Sequence, residues 1–438
     1  MIRRSFWLVA ATGAAVAPLG VAAQVRTVPA LTVAGGVGYD SNPFLGAGGA
    51  KGSASTTLNV MPSITFVDGV DRAVIAGSYN RQDFFTRYGS NNGYQASANG
   101  HKQFDARTGI DVAASYDSSV LGGAGNFAPI GQVVPVTGGA AGSGIGSGAS
   151  GSGSLPVVSA PIGTAPVVTI PVDGDIGLIG LRQRRKTLST SASASYLLSE
   201  RTSLFGGVNA SRSTYPGEQR QSILLGNFTQ YGANAGFSRS INELSSVGVQ
   251  VSATFVDYDR GFSSSFFTPR LTYNRTLSPR WTLNAAVGGA IVHDRISGTS
   301  VTVSAEGTLC RTYSERGNVC LFASREPSVT GFGGVRTQTT AGATLGYRLS
   351  EVSTVSASAR YNHVANGTPA LSEGVLPANQ DFTSVDGSYQ RQLGRHLSAL
   401  ASAGYRHISS GFRTAGGSTG GNSVFGRLGL TLSLGGQR

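Results

Sequence analysis

Apolar and polar residues alternate one by one along most of this chain. Between Leu397 and Arg406, Leu397, Ala399, Ala401, Ala403 and Tyr405 share one parity, while Ser398, Ser402, Gly404 and Arg406 share the other. Val355, Ala357, Ala359 and Tyr361 oppose Ser356, Ser358, Arg360 and Asn362 in the same way, and Val247, Val249, Val251, Ala253 and Phe255 oppose Gly248, Gln250, Ser252 and Thr254. Ser189, Ser191, Ser193 and Ser195 fill one side of 188–198. A period of two marks strands with two unlike faces. No helical period is sustained anywhere, so the chain reads as all-β.

The predicted strands are joined by two alternating kinds of connection. Short turns fall at 68–71, 105–108, 199–202, 242–245, 278–280, 350–353 and 394–396, several within one recurring pattern: LLSERTSL, SINELSSV, TLSPRWTL, RLSEVSTV. Longer connections fall at 41–54, 87–92, 119–182, 213–224, 258–264, 295–334, 364–379 and 410–422. Short turns on one side and long loops on the other predict an up-and-down antiparallel transmembrane β-barrel of about sixteen strands. Tyr79, Tyr116, Tyr196, Tyr273, Trp281, Tyr347, Tyr361, Tyr389 and Tyr405 share the apolar parity, as aromatic girdles do. A soluble sandwich or propeller would need bulkier inward residues than rows of Ser, Gly and Thr. The run GGVGYDSNPFLG at 35–46 is the end of strand one entering a loop that Asn-Pro opens, because no helix follows its glycines.

Composition agrees. Only 13% of the 438 residues are charged, 63 are Gly, and apolar and polar residues balance. A disordered chain would be more charged, whereas a barrel averages apolar-out with polar-in. Residues 1–23 carry Arg3 and Arg4, an apolar stretch and a small-residue end, which predicts a secretory signal peptide and a mature barrel over 24–438. Too few residues precede strand one for a plug domain, so a plugged receptor is not expected. Nor does a later stretch reach the ~20 apolar residues of a transmembrane helix.

Parity places Arg185, Arg270, Arg336, Arg348, Arg360, Arg406 and Arg427 on the inner face, with Asp40, Asp111, Asp117 and Asp386. Two readings stay open. The arginines make a positive lumen that favours anionic solutes, or they pair with acids and stiffen the wall. Residues 118–172 hold no charge, consistent with a loop folded into the lumen or with an extracellular insertion. Cys310 and Cys320 predict a local disulfide stapling a small hairpin within the 295–334 loop, above the barrel. The five histidines are scattered and no nucleophile elbow or zinc motif occurs. No enzyme, metal, cofactor or nucleic-acid partner is therefore expected.

Val37 to Phe44, with Tyr39, Asp40, Asn42, Pro43 and Phe44, resembles the mature N-terminus of the β-barrel porin-2 family of Gram-negative outer-membrane proteins. That resemblance implies an outer-membrane barrel associated with exopolysaccharide production, with no catalytic residues to carry over. At the other end, Arg427, Gly429, Leu432 and Leu434 resemble the assembly signal of outer-membrane barrels, though Gly-Gly-Gln-Arg replaces the usual terminal aromatic. The expected partners are outer-membrane lipids, the barrel-assembly machinery and periplasmic polysaccharide-export proteins. The expected function is an outer-membrane pore exporting an exopolysaccharide. A diffusion porin for small anions, a structural or adhesive barrel, and a barrel hydrolase are the alternatives. Oligomeric state is not legible.

Overall fold

A computed structural model describes residues 25–45, 51–120, 183–216, 225–259, 261–295, 298–314, 316–331, 333–365, 379–409 and 420–435, together with the two-residue strands 152–153, 172–173, 413–414 and 417–418. The signal segment 1–23 and nearly all of the 119–182 loop lie outside the described residues. The wall begins with β1 (Arg26–Asp40), β2 (Ser53–Asp68), β3 (Asp71–Phe84), β4 (Ser90–Gln103), β5 (Thr108–Val120) and β6 (Arg184–Ser199). It continues with β7 (Thr202–Thr214), β8 (Phe228–Asn242), β9 (Ser245–Tyr258), β10 (Ser263–Ser278), β11 (Trp281–Asp294) and β12 (Gly298–Ser314). It ends with β13 (Gly317–Val329), β14 (Val335–Ser350), β15 (Ser353–Ala365), β16 (Gln380–Gln392), β17 (Leu397–Ser409) and β18 (Gly421–Gly435).

These make one 18-stranded sheet, antiparallel between sequence neighbours. The last strand returns to the first, from Ala30↔Gly435 up to Asp40↔Phe425, and closes the cylinder. Closure leaves no sheet edge running the length of the wall, which is the condition for strands to stand in hydrocarbon. Outward positions are apolar and exposed, as with Val37, Leu58, Ile75, Val112, Leu271, Val287 and Leu428. Tyr196, Tyr347 and Tyr389 sit outward near the short turns, and Tyr79, Tyr116, Tyr361 and Tyr405 sit outward farther up. Two aromatic levels bounding an apolar band are those of a membrane-spanning barrel, and its place is the outer membrane.

The wall has two more strands than alternation alone predicts. Residues 295–334 do not form a loop with a stapled hairpin above the barrel. They form β12 and β13, full members of the wall, and the expected loop boundary is corrected accordingly. Cys310 and Cys320 are register partners on these strands, disulfide-bonded, with Cα atoms 4.0 Å apart. The turn between them uses the chemistry of the other short turns. Ser314 Oγ accepts the Arg316 N–H at 3.1 Å, as Ser199 accepts from Arg201 at 3.3 Å and Ser278 from Arg280 at 3.3 Å. Each is a side-chain oxygen imitating a backbone turn acceptor.

The β12–β13 ladder stops at Ala305↔Arg325, although β12 continues to Gly298. Proline explains the stop. Thr312 donates to Arg280 and Arg348 donates to Arg316, so even residues of β12 face β11 and odd residues of β13 face β12. Pro327 therefore falls where β13 should donate to Val303, and proline has no N–H.

Inside the outer mouth the wall turns apolar. Phe228, Val256, Tyr258, Phe266 and Val292 pack together with Tyr215, Leu225 and Val329. Tyr258 stacks on Phe262 at 4.4 Å and donates to the carbonyls of Thr330 and Gly334, tying one loop to the mouth. Opposite them, Leu45 packs with Val364, Phe382 and Ile408.

Candidate functional site: the charged lumen wall

Strand pairing places all seven sequence-predicted arginines on the inner face, but brings only three together. Arg360 pairs with Ser384, and Ser384 with Arg406, so the two arginines lie one strand apart at one level. Arg427 pairs with Ser402 of β17 and Gly38 of β1. Phe425 organises the group. The Arg406 guanidinium lies 4.2 Å and that of Arg427 5.2 Å from its ring centroid, while Arg360 lies 5.4 Å from the Phe322 ring. Stacking on aromatic faces holds like charges side by side at less cost than unsupported burial. Two glycines make room. A Cβ at Gly404 would meet the Phe425 ring at 2.6 Å, and one at Gly38 would meet Arg427 Cγ at 2.8 Å. Asp386, which accepts from Ser358 at 2.9 Å, and Asp40 supply the nearby negative charge.

The other four are dispersed. Arg185 and Arg336 stand at the upper ends of β6 and β14, and Arg348 at the lower end of β14. Arg270 is shared by two carboxylates, Glu326 at 3.2 Å and Glu306 at 3.7 Å. For Arg270 the structure shows the pairing of arginine with acids. Both glutamates belong to the strands that were expected to be a loop, which is why the sequence count omitted them. Among the described residues, Asp294 and these two bring the inward acids to seven, against nine inward arginines once Arg26 and Arg72 are added. The described wall is thus nearly balanced, and its positive character is local to Arg360, Arg406 and Arg427. Phe425, which holds Arg406 and Arg427, was legible only as an inward-parity aromatic in β18.

The family-like motif does structural work at the seam. Tyr39 faces outward. The Asp40 carboxylate accepts from the Asn42 N–H at 3.0 Å and from the Ser423 hydroxyl. Ser41 donates its N–H to the Val424 carbonyl at 2.9 Å, and its hydroxyl accepts the Val424 N–H at 2.8 Å. Pro43 sits second in a turn closed by the Leu45 N–H on the Asn42 carbonyl at 3.1 Å. Phe44 then reaches Phe84 and Tyr88, at 5.5 and 5.2 Å between centroids. Residues 40–45 clasp the junction of first and last strands. At the C-terminal end, Leu432 and Leu434 face outward, and Gly429 lies inward against the Gly35 carbonyl.

Among the described residues no three His, Cys, Asp or Glu side chains gather as a metal site. No family model matches this chain, and no curated protein matches it. Solved structures do. OccK2 (OpdF) of Pseudomonas aeruginosa, in complex with glucuronate, is 10% identical with a TM-score of 0.44, over 94% of this chain and 98% of that one. OpdK of the same organism is 10% identical with a TM-score of 0.42, over 94% and 99%. The ferric enterobactin receptor PfeA, also from Pseudomonas aeruginosa, is 8% identical with a TM-score of 0.44, over 93% and 80%.

Proposed function

We propose that this barrel is a passive outer-membrane diffusion pore for small polar solutes, with a local preference for anions. The observation that carries the reading is the cluster of Arg360, Arg406 and Arg427 within four consecutive strands of a closed wall that also carries many inward Ser, Thr, Asn and Gln residues. Eighteen strands enclose a lumen wide enough for water. Inside it, Arg406 and Arg427 are only 5% and 7% exposed, so the cluster acts on passing carboxylates mainly through its field, which favours an anion at that level without holding it. No bond is made or broken.

Export of an exopolysaccharide is the narrower reading, supported by the resemblance at Val37 to Phe44. The apolar packing inside the outer mouth favours small solutes before a polymer. Planar-bilayer recordings across a salt gradient test the pore: a reversal potential displaced toward the anion is expected, and absence of conductance would refute it. Cell-free and cell-bound polysaccharide in a deletion strain, with complementation, tests export. Unchanged polysaccharide removes that reading and leaves the pore.

A further inference from the structure

Only one of the five histidines faces the lumen. His293, His363 and His407 take the outward parity of their strands and His396 lies in a turn, whereas His101 points inward on β4. It stands between two inward charges: its register partners are Arg72 on β3 and Asp111 on β5. His101 Nδ1 lies 2.8 Å from the Asp111 carboxylate, and these side chains are 41% and 60% exposed, so both are open to the lumen. All three line a cavity of about 760 Å³ in the half nearest the short turns. The rest of its lining is hydroxyl, amide and small apolar groups, such as Ser97, Asn99 and Ser191, with no Phe, Tyr or Trp. Among the described residues that line it, Arg72, His101 and Asp111 are the titratable or charged side chains. In this lower half β2 and β6 turn no charged side chain inward, and the neighbouring Lys102 and Asp71 pair with each other at 3.4 Å.

We propose that Arg72, His101 and Asp111 form a second solute subsite, near the periplasmic mouth, for a small hydroxylated carboxylate such as a sugar acid. This rests on the lumen being a water-filled solute path, and it is separate from the Arg360, Arg406 and Arg427 cluster. The Arg72 guanidinium takes the carboxylate, a charge-assisted contact. Asp111 and the serine and amide rows take the hydroxyls. His101 holds the Asp111 carboxylate at 2.8 Å and offers its other ring nitrogen to a further hydroxyl.

The test is a ligand-observed NMR titration of the folded full-length barrel in detergent with gluconate, and with glucitol as its neutral counterpart. Arg72→Gln is expected to weaken gluconate about tenfold and leave glucitol unchanged. Asp111→Asn at about pH 8 should strengthen gluconate. Effects of opposite sign at Arg72 and Asp111 would not arise from a merely structural role. Glucitol binding as well as gluconate, or identical gluconate affinity in wild type, Arg72→Gln and Asp111→Asn, overturns the subsite. Single-channel recordings separate the two proposals: conductance without gluconate binding removes the subsite alone, and binding with this mutational pattern but no conductance removes the pore alone.

Discussion

The Ser423 hydroxyl donates to the Asp40 carboxylate across the closing seam, although the two residues are 383 positions apart in the chain. Together with the Asn42 N–H and the paired Ser41 and Val424 contacts, it extends the β1–β18 ladder past the last strand residue of β1. Asp40→Ala removes the acceptor and leaves donors in a buried site, which costs about 1–3 kcal/mol. The expected result is a folded, heat-modifiable band that unfolds at lower temperature, with assembly retained. Ser423→Ala should reproduce part of the loss. An unchanged transition in both variants would show that the clasp does not hold the seam.

The Cys310–Cys320 bond lies within a wall hairpin closed by a short turn. Cross-linking so short a segment constrains the unfolded chain by about 2–3 kcal/mol. Replacing both cysteines by serine should lower the unfolding midpoint in urea under oxidising conditions and abolish the effect of reductant on it. Equal sensitivity to reductant in the variant would contradict this.

Two substitution pairs should move ion selectivity in opposite directions. Arg360→Gln with Arg427→Gln takes positive charge from the cluster and should shift the reversal potential toward cations. Glu306→Gln with Glu326→Gln releases Arg270 from its two carboxylates and should shift it toward anions. Bilayer recordings at low ionic strength give the largest signal, because screening fades there. Shifts of the same sign would refute the assignment of these groups to the conducting lumen.

The turn at Asp105 should make a pH-dependent contribution. The backbone N–H of Arg107, at 2.6 Å, with the N–H and hydroxyl of Thr108, holds this exposed carboxyl below its usual range. A depressed folded-state value means that the stabilisation is present above the ordinary aspartate value, about 4, and is lost as pH falls through the depressed one. Asp105→Ala should therefore lower the urea midpoint at neutral pH. It should match wild type in strong acid, where both lack the charge.

Alternation with a period of two was enough to predict a membrane barrel, because each strand must present unlike faces to lipid and to water whatever its neighbours are. The inward side of Arg185, Arg270, Arg336, Arg348, Arg360, Arg406 and Arg427 followed from the same local rule. The two strands that carry Cys310 and Cys320 were legible as a hairpin but not as part of the wall, since Arg311 and Arg325 interrupt their outward face, although Ser314 and Arg316 repeat the turn of Ser199 and Arg201. Which charges meet was not local at all. The stacking of Arg406 and Arg427 on Phe425, the sharing of Arg270 between Glu306 and Glu326, and the clasp from Asp40 to Ser423 depend on pairing register and closure. Parity along a strand says which face a side chain takes; only the hydrogen-bonded ladders between strands decide what stands beside it.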